Sequence, residues 1–241
     1  GEFERLTWFQ RNTIAKLLKH AVHLTTVSDY LAKKIRDRFQ TTEYTVIPNL
    51  VQMDVFRPVE RPQGNIFNFV HVSTLSPQKN AGDLIEACGL LKQRSVRFLL
   101  HVVGPEHPEY RNMIREKGLD TTILFHPEMP QLQLAELVAA SDALILYSNY
   151  ETFGCVIVEA NACGLPVIVS DFPVFYENVE EGVTGIHVPL HQPAALAEVM
   201  TRLMRVGGFN RETIISITRR RYSAEVVGEQ FGSVYRRFAK H

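Results

Sequence analysis

Short apolar runs alternate with longer amphipathic stretches through the middle of the chain. The runs have the length of buried strands, and the stretches between them repeat apolar residues at helical spacing. The predicted strands are Ile66–Val72, Arg97–Val103, Thr121–Phe125, Ala143–Tyr147, Pro166–Val169 and Gly185–Val188. The predicted helices between them are about Asn80–Arg94, Glu109–Lys117, Gln131–Ala140, Gly154–Cys163 and Pro173–Glu180. Strands joined by helical crossovers form a parallel sheet with both faces covered, so the predicted fold is α/β, Rossmann-like and doubly wound.

Both ends of the chain are predicted to extend this sheet with helices. The N-terminal block is predicted as helix, strand, helix and strand at Leu6–His20, Val22–Val27, Asp29–Phe39 and Tyr44–Ile47. Ser28 is a suitable N-cap for the second of these helices. Pro48, Pro58 and Pro62 then mark an irregular segment, which we interpret as a linker between two domains. Three further helices are predicted at about Gln192–Val206, Asn210–Arg221 and Ala224–Phe238.

The turn after the fourth strand of the predicted sheet carries the strongest sign of chemistry. Glu151 and Glu159 lie eight residues apart on either side of a helix start near Gly154. Free backbone N–H groups and the helix dipole favour an anion at such a start, and glycine lets a ligand approach the backbone closely. Glu159 lies within the apolar run Val156–Ala160, where a buried carboxylate needs a partner. A hydroxyl-rich ligand would supply that partner.

At these residues the chain resembles a known family. Glu151-x7-Glu159, with Phe153-Gly154 and the following Ala160-x-Ala-Cys-Gly-Leu-Pro-Val, is similar to the signature of retaining glycosyltransferases of family 4, which have the GT-B fold. The likeness runs from about Val27 to Tyr235. It implies that residues 48–209 bind a nucleotide sugar and that residues 1–47 are the end of an acceptor domain and its linker. Residues 210–241 would be helices that pack back towards that domain, and the sequence would be part of a longer protein.

The loop after the first strand of the sheet resembles the family loop Gly-Arg-Leu-x-x-x-Lys-Gly, whose basic residues hold the donor diphosphate. Lys79 matches the family lysine, while Ser73 replaces the glycine and Thr74 replaces the arginine. A lysine at a helix start is unfavourable to the dipole unless an anion lies between them. The alternative is a solvated lysine beside the N-cap Asn80. The missing arginine leaves open whether diphosphate affinity or turnover is reduced.

The resemblance also assigns the rest of a donor site. It implies that Glu159 binds the ribose hydroxyls, that Glu151 faces the sugar and phosphate, and that the loop beginning at His126 meets the base through its backbone. The implied catalytic residues are Lys79 and Glu151. The full set of implied donor-binding residues is Ser73, Thr74, Lys79, Gly104, His126, Pro127, Met129, Glu151, Phe153, Gly154, Cys155 and Glu159.

Several of these positions have simpler interpretations. Glu151 could be an exposed loop carboxylate, and the loop at His126 and the bend at Gly104 could be plain turns. Glu177, in a segment that resembles the family's Glu-x-Val-x-x-Gly-x-x-Gly, could cap a helix. The runs Arg219–Arg221 and Arg236–Arg237 favour solvated helix faces over membrane anchors. His71 and His101 favour core positions over ligand binding.

Composition narrows the range of partners. Lys plus Arg number 26, as do Asp plus Glu, so no nucleic-acid partner is indicated. No apolar run approaches ~20 residues, which predicts neither a membrane-spanning helix nor a signal peptide. Cys88, Cys155 and Cys163 favour reduced thiols in a cytoplasmic protein, with peripheral membrane association left open. No Asp-x-Asp sequence is present, so we predict that no metal or other cofactor is needed beyond a UDP- or GDP-type donor.

The implied activity is transfer of a sugar from a nucleoside diphosphate sugar to a saccharide, lipid or other hydroxyl acceptor, with retention. The acceptor would bind through the absent N-terminal domain, and we expect residues 1–241 alone to be inactive. Two alternatives remain. One is a nucleotide-sugar-binding module that has lost turnover, and the other is an unrelated doubly wound enzyme such as a dehydrogenase or epimerase. The second lacks support, because no Gly-x-Gly-x-x-Gly follows the first strand of the sheet.

Overall fold

A computed structural model describes residues 6–39, 43–60 and 66–238. The N-terminal unit contains helix α1 (Trp8–His20), strand β1 (Leu24–Thr26), helix α2 (Asp29–Phe39) and strand β2 (Tyr44–Val46). Strands β1 and β2 pair in parallel. The capping box at Thr7 begins α1, and Ser28 begins α2 as predicted, because its Oγ accepts from the N–H of Leu31 at 3.2 Å.

Six parallel strands form the main sheet. They are β3 (Phe67–Val72), β4 (Phe98–Val103), β5 (Ile123–His126), β6 (Ala143–Leu146), β7 (Val167–Ser170) and β8 (Gly185–Val188). Their spatial order is β5-β4-β3-β6-β7-β8, so the strand order reverses between β3 and β6. Ligands on open parallel sheets bind at such a reversal, outside the carboxyl ends of the strands.

Helices cover both faces of this sheet. The helices are α3 (Ala81–Gln93), α4 (Pro108–Glu116), α5 (Gln131–Ala140), α6 (Cys155–Ala162), α7 (Phe175–Asn178), α8 (Pro193–Val206), α9 (Arg211–Tyr222) and α10 (Ala224–Phe238). Alternate residues of β3 enter opposite cores, because strand side chains point in turn to the two faces. Phe69 packs in the cluster that includes Leu84 of α3, and Val70 packs in the one that includes Ile157 of α6. The predicted fold class and the order of its elements are confirmed.

Helix α1 contrasts with these packed helices, since none of its residues is buried. Trp8, Phe9 and Leu17 are 75%, 73% and 68% exposed. These three apolar side chains of α1 are therefore left largely uncovered by the other residues that the structure describes. Within residues 6–39, 43–60 and 66–238, no helix is long and apolar enough to cross a bilayer.

Candidate functional site

A cleft of about 410 Å³ opens where the strand order reverses. The loop after β3 and the loop after β6 form two of its walls, and the ends of β4 and the loop after β5 complete it. Eight of the twelve predicted site residues line this cleft: Ser73, Thr74, Lys79, Gly104, Met129, Glu151, Gly154 and Cys155. Residues from four separate loops therefore meet at one sheet edge, as the parallel topology requires.

The two loops at the reversal are bound to each other. The backbone N–H of Asn149 donates to the carbonyl of Gln78 at 2.7 Å, and its side-chain amide donates to the carbonyl of Pro77 at 3.3 Å. Lys79 and Glu151 form an ion pair across the same junction, with both side chains largely buried. A lysine next to a helix start is unfavourable unless an anion lies nearby. In this structure that anion is the carboxylate of Glu151.

A buried histidine shapes the start of the loop after β3. The Nδ1 of His71 donates to the carbonyl of Ile145 at 2.9 Å, so the other ring nitrogen accepts the hydroxyl proton of Ser73 at 2.8 Å. Burial, opposed by that carbonyl and reinforced by the charge of Lys79, lowers the pKa of His71 to about 4. The neutral imidazole of His71 therefore fixes the Ser73 side chain by accepting its hydroxyl proton. The Ser73 hydroxyl also accepts from the N–H of Leu75 at 3.0 Å, so its only proton points inward and not into the cleft.

Gly104 allows β4 to end against the loop after β3. Its φ of +149° is rare for residues with a side chain, and a Cβ at this position would collide with the carbonyl oxygen of Ser73. The structure shows a close approach of backbone to backbone at this glycine, which differs from both the ligand contact and the plain turn considered from the sequence. The partner in that approach is the neighbouring loop of the protein itself.

Helix α6 begins at the floor of the cleft with Gly154 as N-cap, at φ 82° and ψ 63°. The predicted helix start is confirmed. The backbone N–H groups of Phe153, Gly154 and Val156 donate to no other residue in the described part of the chain. These groups and the helix dipole make the start of α6 suited to an anion.

Glu159 lies one helical turn beyond Cys155, on the same side of α6. Burial raises the pKa of the Glu159 carboxyl to about 7. The pKa of the Cys155 thiol is also raised, mainly by burial and to a smaller extent by the charge of Glu159. The amide of Asn49 donates to Cys155 Sγ at 3.3 Å. No described side chain donates a hydrogen bond to Glu159, which therefore retains acceptor capacity for a ligand.

Four of the predicted site residues are not among those lining the cleft, namely His126, Pro127, Phe153 and Glu159. Phe153 is buried and packs edge-on against Tyr222 at 5.9 Å between ring centroids, so only its backbone is available to a ligand.

His126 pairs with His101, with 2.9 Å between the two ring nitrogens. Burial lowers the pKa of His101, and the electrostatic interaction with His126 lowers it further. His101 is half-buried on β4 and bonded to the neighbouring strand β5, whereas His71 occupies the predicted core position.

Thr74 is exposed at the rim of the cleft, and the ring of His107 lies 3.4 Å from its carbonyl oxygen. Among the cleft-lining residues that the structure describes, Lys79 is the single Lys or Arg. No second lysine or arginine among these residues therefore replaces the arginine that the family loop has at position 74. The described residues also bring together no group of three His, Cys, Asp or Glu side chains able to hold a metal ion.

Glu177 lies outside the cleft and links the sheet to the N-terminal unit. Its two carboxylate oxygens accept from the N–H groups of Asp29 and Tyr30, both at 2.7 Å. Of its two interpretations, the structure supports helix capping, and the helix is α2. The sequence left capping open as one interpretation and could not name the capped helix, because Glu177 and its partners are more than 140 positions apart in the chain.

Sequence reasoning missed several residues of the site. Glu128 and five apolar residues complete the wall of the cleft: Val72, Val103, Leu134, Leu146 and Val156. The last residues of β3 and β4 could have been included, because the carboxyl ends of strands line such clefts. The hydrogen bond that Ser73 donates to His71 could hardly have been predicted from the sequence. The only indication of it is a polar residue, His71, inside an apolar strand.

Comparison with known proteins identifies a family. The family model described as "Glycosyl transferases group 1" matches residues 53–221. The chain is 27% identical over 172 residues to a D-inositol 3-phosphate glycosyltransferase from Arthrobacter sp. (strain FB24), covering 66% of this chain and 41% of that protein. It is 24% identical over 172 residues to the alpha-D-kanosaminyltransferase of Streptomyces kanamyceticus, covering 69% of this chain and 45% of that protein. The chain thus spans less than half the length of these relatives.

Solved structures share the fold. Sucrose-phosphate synthase from Thermosynechococcus elongatus superposes with a TM-score of 0.87 at 21% identity, covering 100% of this chain and 64% of that one. Anabaena HepE, solved in complex with UDP-glucose, superposes with a TM-score of 0.82 at 20% identity, covering 98% of this chain and 69% of that one. These likenesses establish a Rossmann-like GT-B fold for the chain.

Proposed function

Because the chain belongs to the glycosyl transferases group 1 family, we propose that it is the donor-binding part of a glycosyltransferase. The donor would be a nucleoside diphosphate sugar, and the acceptor a hydroxyl group of a saccharide, lipid or other molecule. One observation carries the proposal: Lys79, Glu151 and the unbonded N–H groups at the start of α6 converge at the reversal of strand order. That arrangement suits a diphosphate joined to a polyhydroxylated group.

Each part of the donor has a complementary group. The N–H groups of Phe153 and Gly154 would receive the diphosphate, whose departing charge is the one that transfer must stabilise. The carboxylate of Glu159 would accept hydrogen bonds from the ribose hydroxyls, and ligand hydroxyls would supply the partners that this half-buried carboxylate lacks. The loop from His126 to Met129 would meet the base. The UDP-glucose bound to HepE supports a uridine donor.

The ion pair of Lys79 with Glu151 gives a physical account of how a donor would engage. A diphosphate entering the cleft competes with Glu151 for the ammonium group. Once Lys79 turns to the phosphates, the carboxylate is free to accept hydrogen bonds from the hydroxyls of the sugar. Phosphate and sugar recognition would thus be coupled through one pair of side chains.

Retention of configuration and independence of metal ions are further parts of the proposal. Retention is supported by the spacing Glu151-x7-Glu159, which resembles that of retaining enzymes. Lys79 and the start of α6 would neutralise the diphosphate without a metal ion. The described chain offers no candidate for a catalytic base, so we assign any such base to the acceptor part of the protein or to the substrate. A cytoplasmic site of action is supported by the three free cysteines Cys88, Cys155 and Cys163.

The domain boundaries complete the proposal. We assign residues 48–209 to donor binding and residues 1–47 to the end of an acceptor domain and its linker. The exposed apolar side chains of α1 support this assignment, because such side chains are stabilised when a partner covers them. Residues 210–241 would pack back towards that domain.

Titration calorimetry of residues 1–241 with UDP and with GDP tests the proposed function. We expect one of them to bind, and we expect Glu159→Ala to weaken its affinity about ten- to a hundred-fold. That loss corresponds to ~1.5–3 kcal/mol for a hydrogen bond to a charged group. Glu116→Ala removes an exposed carboxylate on α4 and serves as the matched control. Absence of binding by both nucleotides would contradict donor binding.

A module that binds donors without turning them over is a second candidate, favoured by Thr74 in place of the family arginine. An arginine would offer the diphosphate a planar fork of donors that a hydroxyl cannot reproduce. We favour a working enzyme, because Lys79, Glu151 and Glu159 are all retained. Kinetics of the longer protein and of its Thr74→Arg variant separate the two. An active parent that arginine changes little supports the enzyme, whereas an inactive parent that arginine rescues supports the binding module.

A further inference from the structure

The loop that carries Glu151 is held in place from the N-terminal unit. The buried side chain of Ser28, at the start of α2, donates its hydroxyl proton to the carbonyl of Thr152 at 2.7 Å. The two residues are 124 positions apart in the chain. Thr152 directly follows Glu151 and precedes Phe153, so this single bond reaches the middle of the proposed donor loop.

The bond also determines where a neighbouring N–H group points. In a trans peptide the C=O and the following N–H point in opposite directions, and the described chain contains no cis peptide. With the carbonyl of Thr152 turned towards Ser28, the N–H of Phe153 points away from Ser28. The carbonyl of Phe153 is held in the same manner by the amide of Asn178 at 2.6 Å, so the N–H of Gly154 points away from Asn178.

The start of α2 is itself well anchored, which makes Ser28 an effective support. Ser28 Oγ caps α2 by accepting from Leu31, while Glu177 accepts from the N–H groups of Asp29 and Tyr30. A hydroxyl fixed at the end of an anchored helix loses little conformational freedom when it binds a carbonyl. The cap and the loop therefore share one side chain, whose single proton is directed at Thr152.

We propose that Ser28 is a positioning residue of the donor site. Its hydroxyl orients the Thr152–Phe153 peptide so that the N–H of Phe153 is presented to the diphosphate, and it thereby couples α2 to donor binding. This inference rests on the proposed function. It goes beyond it by assigning a role in donor binding to a residue of the N-terminal unit that lines no part of the cleft.

Three variants of residues 1–241 test the inference. Ser28→Ala removes both the cap and the bond to Thr152. Ser28→Gly removes the same bond but keeps a residue that is tolerated as an N-cap. Asn210→Ala is the matched control, because Asn210 caps α9 by accepting from the N–H of Thr213 at 2.9 Å, with no bond to the loop. We expect Ser28→Ala and Asn210→Ala to lower the melting temperature to a similar extent.

The readouts are affinity for UDP by calorimetry and amide exchange of residues 148–156 by mass spectrometry. We expect Ser28→Ala and Ser28→Gly to weaken UDP binding about five- to ten-fold and to speed exchange in that segment about ten-fold. We expect Asn210→Ala to change neither, and Ser28→Thr to restore both. Parent-like affinity and exchange in Ser28→Ala and Ser28→Gly would overturn this inference alone. If the parent binds neither UDP nor GDP, the proposed function and the donor-site role fall together.

Discussion

At the scale of single residues, Glu159 combines a proposed role in donor binding with a cost in stability. Its carboxyl lies on α6 in surroundings that disfavour the charged form, so its pKa rises from an ordinary value of 4.5 to about 7. An acid whose pKa is raised by folding binds its proton more tightly in the folded state. The contribution of Glu159 to stability therefore falls as the pH rises from 4.5 through 7.

Glu159→Gln should remove this dependence. At pH 8 we expect the variant to be more stable than the parent by about 2–3 kcal/mol, and at pH 4.5 we expect the two to be nearly equal. Urea unfolding followed by circular dichroism at both pH values measures the difference. Glu116→Gln, at an exposed position on α4, is the control. Parallel pH profiles for the parent and Glu159→Gln would contradict the raised pKa.

The residues of the site divide by how local their interactions are. Glu151 and Gly154, which line the cleft, were predictable, because a strand, a polar turn and a helix start lie within a few positions of each other in the chain. The hydrogen bonds that link Ser73 to His71 and His71 to Ile145 were not predictable. They depend on which strand lies beside β3 and on the register of that pairing. Single-sequence patterns contain little information of that kind.

At the scale of elements, the reversal between β3 and β6 creates the cleft, and the junction between their loops depends on close backbone packing. The six strands of the main sheet were predictable to within one or two residues, because their apolar runs are continuous and bounded by turn residues. The spatial order of the strands was not, since it follows from packing on both faces. Gly104 shows how tightly β4 meets the loop after β3.

Gly104→Ala should be strongly destabilising. The φ of +149° disfavours any side chain, and a Cβ would collide with the carbonyl of Ser73, so we expect a loss of about 2–4 kcal/mol. Gly228→Ala on α10 is the counterpart. Its Cβ would meet nothing within 4 Å, and a helix gains about 0.5–1 kcal/mol from the change. Chemical unfolding of both variants should give shifts of opposite sign, and a neutral Gly104→Ala would contradict the close approach.

At the scale of the whole molecule, the described chain contains the proposed donor site but spans less than half of its relatives' length. In a two-part enzyme the reacting groups meet between the parts, and holding reactants together supplies up to ~7–11 kcal/mol of catalysis. We therefore expect residues 1–241 to bind the donor and to transfer no sugar. Slow hydrolysis of the donor is compatible with this expectation.

An assay that separates transfer from hydrolysis checks this expectation. UDP release from the UDP-sugar is measured for residues 1–241 and for the longer protein, with and without a mixture of hydroxyl acceptors. Stimulation by acceptors should occur only with the longer protein. Efficient glycosylation of an acceptor by residues 1–241 would contradict the division into donor and acceptor parts.

The exposed position of Trp8 has a consequence for spectroscopy. Trp8 is the single tryptophan of the chain, it lies on α1, and three quarters of its surface is in contact with solvent. An indole that is already hydrated changes its emission little when the protein unfolds, and the cleft itself contains no tryptophan among its described residues. Tryptophan fluorescence would thus change little when the sheet unfolds or when a nucleotide binds. A blue shift of the emission would instead report that a partner has covered Trp8 on α1.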